Sequence, residues 1–271
     1  MVNKELQDLR SLTWTRNRHS SGSAGSFLKS YEIIKGIKHY YKLSNYNYVE
    51  GIVGHECVNE IVVDRLLDIL GFEHLHYDLL HGVVNVNNTD YQTWLCESLD
   101  FKHKGDSKVS LDVYFEMNAL PQEKPFDFCI RMGWADYIYE MLILDYIILN
   151  RDRHGGNIEI LKNGIKNTIK PAPLFDHGIS LVFSCHKDTD IEKYDVLEDK
   201  QVQCFVGTSS TWGNLGLIPK ERLVELPSLT DKDREYLFRD LNNAVSEIWC
   251  DKVWDMINKR MEKYEDFRHK G

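Results

Sequence analysis

Two short loops, each with one aspartate, constrain the possible folds of this chain more strongly than any other feature. The first, Asn150–Asn157 (NRDRHGGN), follows an apolar, helix-like segment and precedes a short strand-like run. The second, Pro173–Gly178 (PLFDHG), places an acid between apolar residues and a glycine, which permits a sharp turn. Loops at the edge of a packed scaffold commonly carry reactive groups. The two loops therefore predict a site for a metal ion and a phosphate.

The residue types in these loops suit phosphoryl transfer. Mg²⁺ binds carboxylate and amide oxygens and completes its coordination with water and substrate phosphates. Asn157 and Asp176 offer such oxygens. A general base is also needed if a hydroxyl group is to attack a γ-phosphate. Asp152, which precedes Asn157 in the same loop, is the candidate for this base.

Further candidates for phosphate binding lie in the first sixty residues. Lys42 stands in a strand-like run and Glu60 on a predicted helix, where an ion pair would aim the lysine at the α- and β-phosphates of a nucleotide. The segment Ser20–Ser26 (SSGSAGS) is predicted to be a glycine-bearing loop. Small side chains let backbone N–H groups approach phosphate oxygens closely. The candidate phosphate-binding residues of this loop are Gly22, Ser23, Ala24, Gly25 and Ser26.

The predicted elements change character near residue 100. Before this point, four strand-like runs flank one helix-like run, in which apolar residues recur every three or four positions as a buried face requires. These strands are predicted at 27–34, 39–43, 75–86 and 91–97, and the helix at 55–70. After residue 100, helical patterns dominate, at 134–149 and twice within 231–261, and a hairpin with a tight Asn163-Gly164 turn is predicted from 158–161 and 165–170. We therefore predict two lobes, 1–100 and 101–271.

Composition and charge exclude several classes of protein. With 33 basic and 42 acidic residues, the net charge is −9 and the pI near 5.7, which argues against a surface built to hold nucleic acid. No apolar run reaches the roughly 18 to 20 residues of a membrane span, and neither a secretory signal nor a lipid anchor is visible. The six scattered cysteines lack a CxxC pair, which excludes a zinc ribbon and favours reduced thiols. We expect a cytoplasmic protein, with signal-free export left open.

Two histidine patterns bear on a metal site. His55 and Glu56 begin an HExx pattern, but Asn59 stands where a zinc protease needs its second histidine. His74 and His76 share one face of a predicted strand, a geometry compatible with metal, but no third nearby ligand is evident. We therefore expect these two histidines to be partly exposed strand residues.

Several motifs together resemble those of the HipA-like serine/threonine kinases, and more closely the compact members that lack the usual N-terminal subdomain. The resemblance spans most of the chain and rests on six segments: SAGSFLK (23–29), YYKL (40–43), GHECVNE (54–60), WLCESLDF (94–101), DRHGGN (152–157) and PLFDHG (173–178). It implies an α+β, bilobal protein-kinase-like fold with a β-rich N-terminal lobe, a mainly helical C-terminal lobe and ATP bound between them.

The same resemblance implies a role for each candidate residue. Asp152 is the catalytic base, Asn157 and Asp176 bind Mg²⁺, Lys42 with its partner Glu60 anchors the ATP phosphates, and the backbone around Cys96, Glu97 and Leu99 receives adenine. His154 is expected to brace backbone carbonyls within its own loop. The implied activity is transfer of the γ-phosphate of ATP to a protein serine or threonine by a bacterial toxin or effector kinase that also phosphorylates itself. The implied partners are a protein substrate, an antitoxin and a small protein that supplies the missing subdomain.

The autophosphorylation site departs from the family pattern. Better-known members carry the modified serine three residues before the glycine of an Ala-Gly pair, where this chain has Gly22. Ser21 and Ser23 flank that position and are the candidates for autophosphorylation. Phosphoinositide kinases share the DRHxxN motif, so a lipid or small-molecule kinase is one alternative. A non-catalytic module that binds a nucleotide or a partner protein is another.

Overall fold

The computed structural model describes residues 1–15 and 27–270 of the chain. By internal contacts the chain divides into two compact units, and each is discontinuous in sequence. The first unit comprises Met1–Asp100, His177–Tyr194 and Leu229–Val253, and the second comprises Phe101–Asp176, Asp195–Ser228 and Trp254–Gly271. Two later segments thus pack with the first hundred residues, and the division into lobes 1–100 and 101–271 stays a prediction.

The secondary structure is a mixture of helices and strands. The described strands are β1 (Val2–Asp8), β2 (Lys29–Ile34), β3 (Ile37–Leu43), β4 (Tyr46–Asn47), β5 (Gly51–Ile52), β6 (Tyr77–Val86), β7 (Thr89–Leu99), β8 (Asp106–Ser110), β9 (Asp152–Arg153), β10 (Glu159–Asn163), β11 (Thr168–Pro171) and β12 (Gln203–Cys204). The described α-helices are α1 (Glu56–Leu70), α2 (Leu111–Asn118), α3 (Pro125–Arg131), α4 (Ala135–Ile147), α5 (Asp188–Lys193), α6 (Thr211–Leu215), α7 (Asp231–Phe238) and α8 (Glu247–His269). Among the described helices, none combines the length and the hydropathy that crossing a membrane requires.

A five-stranded sheet forms most of the β-structure of the first unit. Its order is β1-β6-β7-β3-β2, with β1 parallel to β6 and the other neighbours antiparallel. Two-residue turns join β2 to β3 and β6 to β7, and all four turn residues have positive φ, as type I′ turns require. Strand β1 was not predicted because its side chains are mostly exposed, so its sequence lacks the alternation of a half-buried strand.

Helix α1 is the most buried element of the first unit. It ends at Gly71, which has a φ of 73° and donates its N–H to the Leu67 carbonyl. Burial extends beyond the predicted apolar face, because every residue from Glu56 to Leu67 is buried. The polar side chains of the helix reach backbone carbonyls of later segments: Asn59 donates to Gly178 and Ser180, and Arg65 donates to Leu237 and Arg239.

The second unit is largely helical and carries small sheets. Helix α4 and the residues after it form its core, since every residue from Met141 to Asn150 is buried. Strands β8, β10 and β11 form an antiparallel sheet. The predicted tight turn between β10 and β11 is wrong: Asn163 pairs with Thr168, so four residues form the loop. The Asn163 side chain accepts the N–H groups of Ile165 and Lys166, which stabilises this longer turn.

Candidate active site

In the first unit, Lys42 and Glu60 form a buried ion pair. Lys42 Nζ lies 2.7 Å from Glu60 Oε1, and their side chains are 10% and 0% exposed. Lys42 is held in β3 and Glu60 in α1, and these two elements pack against each other. The ammonium group also lies 4.7 Å from the centre of the Phe27 ring, close enough for a cation–π contact. These contacts hold the ammonium group of Lys42 at one position in the first unit.

The second oxygen of Glu60 holds the segment that follows the PLFD loop. Glu60 Oε2 accepts the backbone N–H of His177 at 2.8 Å. The next residue is Gly178, where an added Cβ would lie 3.1 Å from Lys42 Nζ and 3.2 Å from Glu60 Oε1. A larger residue here would make tight contacts with the ion pair and displace it by a few tenths of an ångström. The residue before His177 is Asp176, so chain connectivity places this metal-ligand candidate next to the anchored peptide.

The predicted adenine-binding residues lie in the central strand β7. Cys96 and Glu97 are paired with β3 on one side and with β6 on the other. The Cys96 thiol is buried, and a hydrogen bond with Cys57 together with burial raises its pKa well above the usual value. In a strand that is paired on both sides, the backbone N–H and C=O groups are already hydrogen-bonded to its neighbours. We therefore expect the first backbone groups that could bind a purine to be those of Leu99, where β7 ends.

In the second unit, the predicted base Asp152 is held by strand pairing and by its own loop. Strand β9 pairs with β12, where Gln203 N–H donates to the Arg151 carbonyl at 3.0 Å. His154 Nδ1 accepts the N–H of Gly156 at 3.0 Å, so the proton of a neutral ring is on Nε2, which lies 3.9 Å from Asp152 Oδ2. His154 thus braces a backbone amide of its loop by this bond, and not a carbonyl as predicted. The Asp152 side chain is 22% exposed, which leaves it accessible to a substrate.

A buried arginine joins the DRHGGN loop to the PLFD loop. Arg153 is 1% exposed and makes a bidentate pair with Asp145 of helix α4, at 2.9 and 2.8 Å. Its Nη1 atom also donates to the carbonyls of Asn157 and Phe175, both at 3.1 Å. Burial alone would lower the pKa of Arg153, but the attraction of the Asp145 carboxylate is larger, so the arginine pKa is raised above its usual value. One guanidinium group therefore connects α4, the DRHGGN loop and the PLFD loop.

The orientation of Asn157 fits a role as a metal ligand. Its Nδ2 donates to the Asp152 carbonyl at 2.8 Å, so Oδ1 is the atom that remains to ligate a cation. Asp176 has a φ of 58°, a left-handed conformation that aspartate adopts more readily than most residues. An amide oxygen and a carboxylate form the hard donor set that Mg²⁺ takes. The residues present therefore fit Mg²⁺ bound with a nucleotide.

The structure brings together some of the predicted site residues. Lys42 and Glu60 form one group, and Asp152, His154 and Asn157 form another, to which Arg153 joins the loop ending in Asp176. Cys96, Glu97 and Leu99 lie in β7. The phosphate-loop candidates Gly22, Ser23, Ala24, Gly25 and Ser26 and the autophosphorylation candidates Ser21 and Ser23 lie outside the described residues.

Sequence reasoning missed the residues that position these groups. Arg153 and Asp145 were not predicted, and neither was the Asn150 side chain, which donates to Asp145 Oδ1 at 2.9 Å and accepts the Asp152 N–H at 3.2 Å. A signal was present, because Asp145 is the charged residue that interrupts the apolar run 141–149. Such a charge is rarely buried without a partner.

Comparisons with known proteins show the fold. No protein-family model matches the sequence, and no curated protein sequence does. The structure is similar to the Helicobacter pylori proinflammatory kinase CtkA, with a TM-score of 0.63 and 15% identity over 98% of this chain and 97% of that chain. It is also similar to a chain of the Shewanella oneidensis MR-1 toxin–antitoxin complex of HipA, HipB and operator DNA, with a TM-score of 0.44 and 14% identity over 93% of this chain and 66% of that one. The predicted α+β kinase-like fold, β-rich in its N-terminal part and helical in its C-terminal part, is confirmed.

Proposed function

We propose that this chain, which has a HipA-like kinase fold, is a serine/threonine protein kinase that uses ATP and Mg²⁺. The observation that carries the proposal is the contact of Arg153 Nη1 with the carbonyls of Asn157 and Phe175. This contact holds the loop of the candidate base beside the loop that ends in the candidate metal ligand Asp176. Phosphoryl transfer needs a positioned base and a metal ion on the phosphates, and the two loops carry the candidates for both tasks.

Lys42 is proposed to bind the phosphates of the nucleotide. Glu60 is fully buried and binds the lysine with one oxygen and the His177 N–H with the other. Any rotation of its side chain would therefore break a buried hydrogen bond. The lysine charge is therefore fixed before a nucleotide binds. A fixed charge stabilises the transition state without the cost of reorganising the site during the reaction.

Asp152 is proposed to accept the proton of the attacking hydroxyl group. The bonds that Asn157, His154 and Asn150 make to the backbone of this loop hold the main chain from which the carboxylate projects. When bound, ATP supplies the γ-phosphoryl group and Mg²⁺ neutralises the charge on its oxygens. Asn157 Oδ1 and the Asp176 carboxylate are the groups that would hold the ion.

The proposal extends to partners and location by the resemblance found in the sequence. We propose a protein as phosphoryl acceptor, an antitoxin or a small accessory protein as partner, and action as a toxin or effector. The six free thiols support a reducing compartment such as the cytoplasm. Self-phosphorylation at Ser21 or Ser23 is part of the same proposal.

The test is transfer of label from γ-labelled ATP in the presence of Mg²⁺. Wild-type protein and the variants Asp152→Asn and Asp266→Asn are incubated with a protein acceptor or with phosphatidylinositol vesicles. Asp266 is an exposed helix residue paired with Lys270, so its variant is a matched control. We expect label on serine or threonine with the wild type and the control but not with Asp152→Asn.

Other outcomes of this experiment would overturn the proposal. Label on the lipid alone would indicate a lipid kinase. Mg-ATP binding without transfer, in protein that mass spectrometry shows to be unmodified, would indicate a non-catalytic module. Label that persists in Asp152→Asn would refute the role of Asp152.

A further inference from the structure

Three side chains near the end of helix α1 converge on one point in the first unit. Asp64 lies in α1, and His74 and His76 lie between the end of this helix and β6. His74 Nε2 and His76 Nδ1 lie 3.1 and 3.0 Å from the same oxygen, Asp64 Oδ1. One ligand atom from each residue lies within 4.8 Å of the other two. Asp64 supplies the third ligand that the sequence did not reveal.

The hydrogen bond on the other side of His74 determines what its Nε2 atom presents to Asp64. His74 Nδ1 lies 2.7 Å from the Phe72 carbonyl, which can only accept, so Nδ1 carries a proton. In a neutral ring, Nε2 is then a lone pair that faces a carboxylate oxygen. Either a proton on Nε2 or a metal cation between the two atoms makes this contact favourable. A backbone carbonyl that fixes the ring from behind is also the usual second-sphere partner of a metal-bound histidine.

The local charge suits a divalent cation. Asp68 follows Asp64 by one helical turn, and its Oδ1 lies 3.7 Å from His74 Nε2. The other oxygen of Asp68 accepts the Tyr236 hydroxyl at 2.6 Å, which holds this second carboxylate in place. Two carboxylates beside two imidazole rings offer the negative charge and the nitrogen donors that suit a dication.

We propose that Asp64, His74 and His76 form a Zn²⁺ site that is separate from the Mg²⁺ site of the kinase reaction. Imidazole nitrogens suit Zn²⁺ and related transition metals better than Mg²⁺, which takes oxygen ligands. Three protein ligands with one open position are a common zinc arrangement. His76 is 73% exposed, so the ion can enter from solvent and a water molecule can complete the tetrahedron.

Two of the three distances between ligand atoms already suit a bound ion. With bonds of about 2.0–2.1 Å, neighbouring ligand atoms of a tetrahedral Zn²⁺ ion lie about 3.3 Å apart. The separations of Asp64 Oδ1 from the two imidazole nitrogens, 3.1 and 3.0 Å, are already close to this value. The exposed His76 ring is free to rotate about its side-chain bonds, while His74 and Asp64 are 5% and 9% exposed and are held by packing.

The site would fix the C-terminal half of α1 to the chain entering β6. Glu60 lies one turn before Asp64 on the same helix. Zn²⁺ bound at Asp64 therefore stabilises the helix that carries the partner of Lys42. This role does not depend on whether the chain transfers phosphate.

The test measures metal binding by the full-length chain after treatment with a chelator. Zn²⁺ is titrated by calorimetry into the wild type, His74→Gln, His76→Gln and the control His103→Gln, which alters an exposed histidine outside the cluster. We expect one Zn²⁺ per chain in the wild type and the control, and an affinity at least tenfold lower in the two cluster variants. Because His76 is exposed, His76→Gln is expected to fold even if His74→Gln does not. Co²⁺ should give a visible spectrum of tetrahedral type in the wild type, without the charge-transfer band of a thiolate ligand, and this spectrum should be lost in His76→Gln.

Three results would overturn the proposal. The first is the absence of stoichiometric Zn²⁺ binding, which would mean that a proton and not a metal lies between His74 and Asp64. The second is unchanged affinity in His76→Gln. The third is a thiolate band with Co²⁺, which would place the metal on cysteine.

Discussion

Replacing Asp145 with asparagine should both destabilise the protein and impair the candidate active site. Asp145 accepts two hydrogen bonds from Arg153 and one from Asn150, at 2.8 to 2.9 Å. The side chains of Asp145 and Arg153 are only 6% and 1% exposed. Asp145→Asn keeps the shape of the side chain but leaves a buried guanidinium without its carboxylate. Breaking a buried pair by removing one partner costs about 3–5 kcal/mol.

The assay is denaturant unfolding of Asp145→Asn beside the control Asp136→Asn. Asp136 lies on the same helix, is 77% exposed and pairs with Arg222, so its loss should cost less than about 1 kcal/mol. A thermal melt should show a fall in the midpoint on the order of 10 °C for Asp145→Asn. A loss below about 1 kcal/mol for Asp145→Asn would refute the reasoning, because such a value is typical of an exposed pair.

A double variant separates stability from positioning. Asp145→Leu combined with Arg153→Met removes both charges, so no buried charge is left unpaired and much of the stability should return. Phosphoryl transfer should stay low, because no guanidinium then joins the carbonyls of Asn157 and Phe175. Recovery of activity together with stability would contradict the role of Arg153 as a positioning residue.

Two further predictions concern the first unit. Gly178→Ala should weaken ATP binding in a calorimetric titration, because its Cβ would lie 3.1 Å from Lys42 Nζ. In the control Gly164→Ala the Cβ meets nothing within 4 Å, so this variant should bind ATP normally. Equal affinities of the two variants for ATP would contradict the close approach. Burial lowers the pKa of His55 to about 4 from its usual value of 6.5, so the unfolded chain takes up this proton at a higher pH than the folded chain. The free energy of unfolding should therefore decrease as the pH falls below 6.5. Relative to His55→Gln, the wild type should lose about 2 kcal/mol of unfolding free energy between pH 7.5 and 5, and parallel pH profiles of the two proteins would exclude this account.

Local signals in the sequence predicted much of the first unit. The helix predicted at 55–70 is α1, which begins at Glu56 and ends at Leu70, because Gly71 supplies its left-handed cap. The hairpin with Asn87 and Asn88 was predicted because these residues tolerate positive φ. Strand β1 was missed because its exposed edge position puts no alternating pattern into the sequence.

The candidate site shows the same division between local and long-range information. Lys42, Glu60, Asp152, Asn157 and Asp176 were predicted by the chemistry of their motifs and by a family resemblance. Their positioning contacts were not, and several of these contacts join residues that are distant in sequence or use a backbone group. The Glu60 bond to the His177 N–H spans 117 positions, and no side-chain pattern marks a carbonyl as the partner of a guanidinium.

The same limit applies to the histidine cluster. His74 and His76 are visible as a pair in the sequence, but Asp64 is one of several acids on α1. Only the turn at Gly71 brings the two histidines back beside that residue. A third ligand provided by a change in chain direction cannot be read from spacing alone.

The central claim is that Asp152 and Asp176 have different tasks in one phosphoryl-transfer reaction. The most direct measurement is calorimetric titration of ATP in the presence of Mg²⁺ into Asp152→Ala and Asp176→Ala, with label transfer measured on the same samples. We predict that both variants lose transfer, that Asp176→Ala also loses affinity for Mg-ATP and that Asp152→Ala retains it. Wild-type transfer in either variant, or equal affinity for Mg-ATP in both, would contradict the account.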